Sequence, residues 1–238
     1  MTIPEGQNAL EIAQLLQKNG VVSSAQKFLD VLNTDAFDNT YTMVSALKSL
    51  TGRYYKFEGY LFPDTYEFYQ DEDPQNVLQK MLDDANDHLT KQIRDEAKKN
   101  NMTLDQLLTM ASIIQAESAD TADMRNVSSV LHNRLKYGSK YQIYTLDCDS
   151  TTYYPYRSKS AVPTAKGKNY KSKYDTYTVK GLPAGAICNP GMAAIDAALH
   201  PNETDYLYFC HNPKTKQAYY ASNAREHADN LEEAGLTS

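Results

Sequence analysis

Glu117 stands out among the residues of this sequence that could do chemistry. It sits in "ASIIQAESAD" (residues 111–120), three residues after Ile114 and four after Ile113. Those spacings put it on the apolar side of a helix, near the C-terminal end. Burial and the negative end of the helix dipole both disfavour an ionised carboxyl there. A carboxyl that keeps its proton near neutral pH suits general-acid work; the plain alternative is a glutamate reaching out to water. Asp147 and Asp149 flank Cys148 in "TLDCDST", as a second carboxylate source or as turn caps. The five histidines show no H-E-x-x-H spacing, so no metal site is expected. No G-x-S-x-G, P-loop or G-x-G-x-x-G occurs, which argues against serine hydrolysis and nucleotide chemistry.

The elements that must position these groups follow from periodicity. "TLDQLLTMASIIQAES" reads as a helix with a capping box at Thr103 and Gln106. Leu104, Leu107, Leu108, Ala111 and Ile114 repeat at three and four, and Met110 and Ile113 widen the stripe, so this helix is expected to be buried on more than one side. Upstream, "TIPEG" reads as a short strand. "NALEIAQLLQKNG" reads as a helix with Asn8 and Glu11 as its capping box and Gly20 as its stop. A second helix, "VVSSAQKFLDVL", precedes the extended, aromatic "YKFEGYLFPDTYEFY". Strand, helix, helix, strand makes a compact unit over residues 1–72, with an insertion at about 33–52. "DEDP" marks the junction to residues 73–238. That part opens on a long amphipathic helix through "DEDPQNVLQKMLDDANDHLTKQIRDEAKKNN". After the Glu117 helix come a helix stopped by Gly138, a Tyr- and Lys-rich loop region, a helix with Asn189 as N-cap, a hairpin over "DYLYFCHNPKTKQAYYAS" and a closing helix. The fold class expected is α+β.

At 238 residues with 41% hydrophobic and 23% charged side chains, the chain can bury a sizeable core. Its net charge of −6 argues against nucleic acid as partner. Nineteen Tyr against six Phe and no Trp offer flat faces with polar tips, which suit sugar rings as well as strand rims. No run of 18 apolar residues occurs, so no segment reads as a membrane span. The abrupt "MTIPEG" start reads as the cut end of a longer chain.

Several stretches together resemble one family, the YceG-like (MltG-type) endolytic murein transglycosylases. They are "IPEG" with "IAQLLQKNGVV", "FEGYLFPDTYEF", "LLTMASIIQAES", "VSSVLHNRL", "YDTYTVKGLPAGAICNPGMAAIDAAL", "TDYLYF" and "REH". The resemblance implies a small LysM-like module followed by a mixed α+β catalytic domain, and an N-terminal membrane anchor that this sequence lacks. It implies cleavage of peptidoglycan glycan strands at the MurNAc–GlcNAc bond, outside the cell membrane and without a cofactor. A role in terminating nascent strands beside cell-wall synthases comes with it. The catalytic Glu falls on Glu117, and Asp147, Asp149, Thr151, Tyr177 and Asn189 become candidate substrate contacts. Where the family usually has "LQSDPT", this chain has "LDCDST": Asp149 and Thr151 match, while Asp147, Cys148 and Ser150 depart. The resemblance also sets Cys148 and Cys188 around one cleft as a candidate disulfide, with Cys210 free; three free thiols is the alternative. Two other readings stay open: a peptidoglycan-binding scaffold without activity, and a hydrolysing muramidase using Asp147 or Asp149.

Overall fold

A computed structural model describes residues 1–167 and 169–237. Helix α1 (Ala9–Lys18) starts on the expected capping box, with the Asn8 side chain accepting from Glu11 N and Glu11 closing back on Asn8. Its buried face is Ala9, Ile12, Ala13 and Leu16, and Gly20, at φ 71°, turns the chain. Helix α2 (Ala25–Val31) buries Phe28 and Leu29 and packs on α3 (Pro74–His88). The inserted residues 33–52 form turns and one 3-10 turn (Ser45–Ser49); Phe37, Met43, Val44 and Leu47 join the core.

The expected single long helix after "DEDP" is two. Helix α3 ends where Leu89 leaves helical backbone (φ −81°, ψ 62°), and α4 (Lys91–Lys99) restarts with Thr90 capping Ile93 N. Leu89 is buried, and Thr90 supplies the side-chain acceptor that a new helix start requires. The expected strands at "TIPEG" and in "YLFPDTY" are a single antiparallel bridge, Thr2 to Thr65, flanked by Ile3 N to Asp64 O and Tyr66 N to Met1 O. Pro4 and Pro63 lack the donors a longer ladder needs.

Helix α5 (Leu104–Glu117) carries the capping box of Thr103 and Gln106, and every residue from Leu107 to Ile114 is buried. It packs against α7 (Met192–Leu199), α6 (Met124–Tyr137) and α4. Two buried hydroxyls on it are satisfied locally: Thr109 donates to Asp105 O, and Ser112 donates to Thr109 O while accepting from Ile187 N. The hairpin forms as expected, with β1 (Tyr208–His211) antiparallel to β2 (Ala218–Ala221) and Tyr208 opposite Ala221. Helix α8 (Ala224–Glu233) follows, capped by Asn223. The chain is α+β, and one hydrophobic core runs from Ile3 to Leu199 through both halves of the sequence.

One expectation about the end of the loop region fails, and the open question about the cysteines is answered. Helix α7 has Gly191, not Asn189, as its N-cap. The three cysteines are free: Cys148 Sγ donates to Leu146 O and Cys188 Sγ to Ser112 O, so the two thiols serve different elements.

Gly59 shows why the "EGY" turn needs glycine. It sits at φ 90°, and a Cβ there would lie 2.7 Å from the Ala186 Cβ. Gly59→Ala is therefore expected to cost roughly 2–4 kcal/mol, from left-handed strain plus overpacking. Urea denaturation checks this; a loss below ~1 kcal/mol would mean the turn relaxes freely.

Candidate active site

Glu117 is the last residue of α5, half-buried, with Ser118 closing the helix by donating to Ile114 O. Its Oε1 accepts from Ser150 N at 3.0 Å. That contact brings the 3-10 turn Asp149–Thr151 onto the carboxyl. Burial pushes the Glu117 carboxyl above the usual carboxylate range; Ser150 opposes this, Asp149 adds to it and His211 opposes it. The hydroxyls of Ser118 and Ser150 are buried and have no hydrogen-bond partner among the described residues. The carboxyl thus has proton-donor character beside unspent polar groups.

Of the other candidate site residues, Asp149 and Tyr177 come together here. Tyr177 OH donates to Asp149 Oδ1 at 2.8 Å, and both are exposed. Asp147 takes left-handed backbone (φ 50°) and pairs with Arg134 at 3.1 Å. Arg134 also donates to Leu146 O and Leu207 O, which ties the loop to α6 and the hairpin. Thr151 is wholly buried: its hydroxyl bonds Cys148 O at 2.7 Å, meets Thr176 Oγ1 at 2.9 Å and accepts from Thr176 N at 2.9 Å. It holds the turn that presents Ser150 and Asp149.

Asn189 is wholly buried as well. Its Oδ1 accepts from Gly59 N (2.9 Å) and Leu61 N (2.8 Å), and its Nδ2 donates to Gln7 O (3.0 Å) and Glu58 Oε1 (2.7 Å). Its backbone adds Gly6 N to Asn189 O and Asn189 N to Gln7 O. Asn189 joins the start of the chain, the "EGY" turn and the "CNPG" loop. That loop in turn meets α5 through Ile187 N to Ser112 Oγ and Gly191 N to Gln115 Oε1.

Sequence reasoning missed two groups. The first is Asp123, whose Oδ2 accepts from Ala119 N (3.0 Å) and meets His211 Nε2 (2.6 Å), while Tyr220 OH donates to Asp123 Oδ1. This places the hairpin's imidazole within electrostatic reach of Glu117. No local pattern announces it, because Asp123 and His211 are 88 residues apart. The second is Glu58, fully buried under Asn189. It accepts from Ala9 N, from Asn189 and from Tyr154 OH (2.8 Å). Desolvation lifts its carboxyl to about 7 against the pull of these donors. Away from the site, Asp64, Asp84 and His88 have ligand atoms within 4.8 Å of one another. Asp84 already accepts from Tyr66 OH, and His88 stacks on Phe62 at 4.1 Å, so these side chains serve the packing of α3.

Glu58 makes stability depend on pH. Its folded value near 7 lies above the unfolded 4.5, so the native state holds the extra proton between them. Stability falls as pH rises through that window, by roughly 3 kcal/mol for this one group. Denaturation at pH 4 and pH 8 should show this fall in the parent protein and a flatter profile in Glu58→Gln; parallel profiles would assign the dependence elsewhere.

The YceG-like family matches residues 1–233. The chain belongs to the YceG-like family. A relative from Bacillus subtilis (strain 168), named endolytic murein transglycosylase, is 33% identical over 199 residues, covering 83% of this chain and 50% of the relative. A protein of the same name from Streptococcus pneumoniae D39 is 28% identical over 264 aligned positions, 98% of this chain and 44% of the relative. This YceG-like chain spans about half the length of the curated relatives it matches. The crystal structure of a yceG-like protein from Listeria monocytogenes superposes with a TM-score of 0.80 at 30% identity, covering 96% of this chain and 75% of that one.

Proposed function

We propose that this chain carries the activity named for its relatives: endolytic lytic transglycosylation of peptidoglycan, with Glu117 as both acid and base. The observation that carries the reading is the Glu117 carboxyl at the end of α5, its pKa raised by burial, in contact with the 149–151 turn whose Asp149 meets Tyr177. Glu117 donates its proton to the glycosidic oxygen between MurNAc and GlcNAc, and the C1–O bond breaks through an oxocarbenium-like state. The carboxylate left behind takes the proton of the muramic C6 hydroxyl as that oxygen bonds to C1. A 1,6-anhydro ring forms, no water is consumed and Glu117 regains its proton. Ser150 N favours the transient carboxylate, and Asp149 opposes it. Asp149 and Tyr177 are assigned to substrate contact. Asp147 and Thr151 shape the loop, and Asn189 holds the scaffold.

Asp149 beside Glu117 also supports a second reading, a hydrolase in which it activates water. Mass spectrometry of digested sacculi separates the two. Anhydro-muramic ends support transglycosylation; reducing muramic ends support hydrolysis; no release leaves a binding role. The finer features belong to the same proposal. Residues 1–72 serve as the LysM-like module and 73–238 as the catalytic domain. An N-terminal anchor outside this sequence holds the protein at the outer face of the membrane, where it ends nascent strands beside cell-wall synthases.

A further inference from the structure

Residues 134–180 hold ten Lys and Arg against three Asp, a local excess of seven positive charges in a chain of net charge −6. The same stretch holds nine of the nineteen tyrosines. Part of it is a pair of loop segments, joined at a few points, that leads into the Glu117 site. Thr145 pairs with Lys180, Asp147 N donates to Thr176 O, and Cys148 N donates to Thr176 Oγ1, after which Ser150 meets Glu117.

The side chains along it are placed for a ligand. Tyr144 is 54% exposed and Tyr177 51%. Tyr144 has Lys180 over its ring at 5.4 Å, and neighbouring Tyr141, 52% exposed, has Lys140 at 5.5 Å. A cavity of about 170 Å³ opens beside them, lined in part by Leu135, Tyr144, Lys180 and Gly181. The three acids of the stretch are occupied: Asp147 by Arg134, Asp149 by Tyr177 OH and Asp175 by Tyr177 N. Lys140 and Lys180 form no ion pair among the described residues. Exposed aromatic faces interleaved with unpaired cations fit a polymer of sugar rings that carries anionic substituents.

We propose that the loop surface around Tyr144 and Lys180 is a glycan subsite that feeds the Glu117 cleft, with Tyr144 and Tyr177 against sugar rings and Lys180 and Lys140 against the carboxylates of the stem peptides. This rests on peptidoglycan being the substrate. It adds a preference for strands that still bear peptides over stripped strands.

The test is calorimetric binding of soluble, uncrosslinked glycan strands, with and without stem peptides, to Glu117→Gln protein so that the probe stays intact. Lys180→Glu in that background should weaken Kd for peptide-bearing strands at least tenfold and for stripped strands several-fold less, with the difference shrinking at high salt. Tyr144→Ala should weaken both alike. Both side chains are at the surface, and circular dichroism verifies folding of the variants. Unchanged Kd in both variants, or an equal effect of Lys180→Glu on the two probes, overturns the proposal. Kd does not depend on bond cleavage. A protein that binds in this pattern and releases no anhydro ends therefore sinks the proposed activity and leaves the subsite standing.

Discussion

Glu117→Gln is expected to fold as the parent does and to lose release of anhydro-muropeptides by at least ~100-fold, the usual scale for removing a general acid. The amide keeps the shape of the carboxyl, and its oxygen can go on accepting from Ser150 N, the bond that docks the 149–151 turn. It has no acidic proton to give and, once the bond is strained, no carboxylate to take the C6 proton. Both halves of the proposed cycle fail together, so the loss falls on turnover more than on binding. Comparing muropeptides released from sacculi by the two proteins reads this directly. Near-parental release by Glu117→Gln would remove Glu117 from the mechanism, and Asp149 would become the carboxyl to examine.

The second large effect is on stability. Asn189→Ala is expected to cost roughly 3–5 kcal/mol, because it strands several buried polar groups at once. Gly59 N and Leu61 N lose their acceptor, and Gln7 O and Glu58 lose a donor. An N-cap of α7 would cost only about 1 kcal/mol on truncation, so the measured size separates the two roles. Chemical denaturation supplies it. A loss near 1 kcal/mol would show that the four bonds are replaced cheaply and that Asn189 is no staple. The loop that Asn189 holds also meets Ser112 and Gln115 on α5, so a loss of activity at temperatures well below unfolding is expected to accompany the destabilisation.

Some of this was decided within a few residues of chain and could be read there. The capping boxes of α1 and α5 are contacts between residues three apart, and both form as their sequences imply. The apolar stripe of α5 set Glu117 on a buried side, and its raised pKa follows from that placement. The stretch "DYLYFCHNPKTKQAYYAS" reads as a hairpin, and its pairing is likewise local. The motifs of the YceG-like family were legible across nearly the whole chain. What sequence could not decide is what depends on distant partners. "CNPGMAAI" offers a helix start, and Asn189 looks like its cap. Its four side-chain partners lie 128 to 182 residues away, and together they outweigh one cap bond. Glu58 looked like part of a strand until Ala9, Tyr154 and Asn189 closed over it. The run after "DEDP" has one helical period, yet it breaks at Leu89, where Thr90 caps a second helix. His211 and Asp123 meet only because the hairpin folds back over α6. Periodicity and caps report energies exchanged within one turn of helix, whereas a buried polar group takes its partner from whatever the folded chain brings to it.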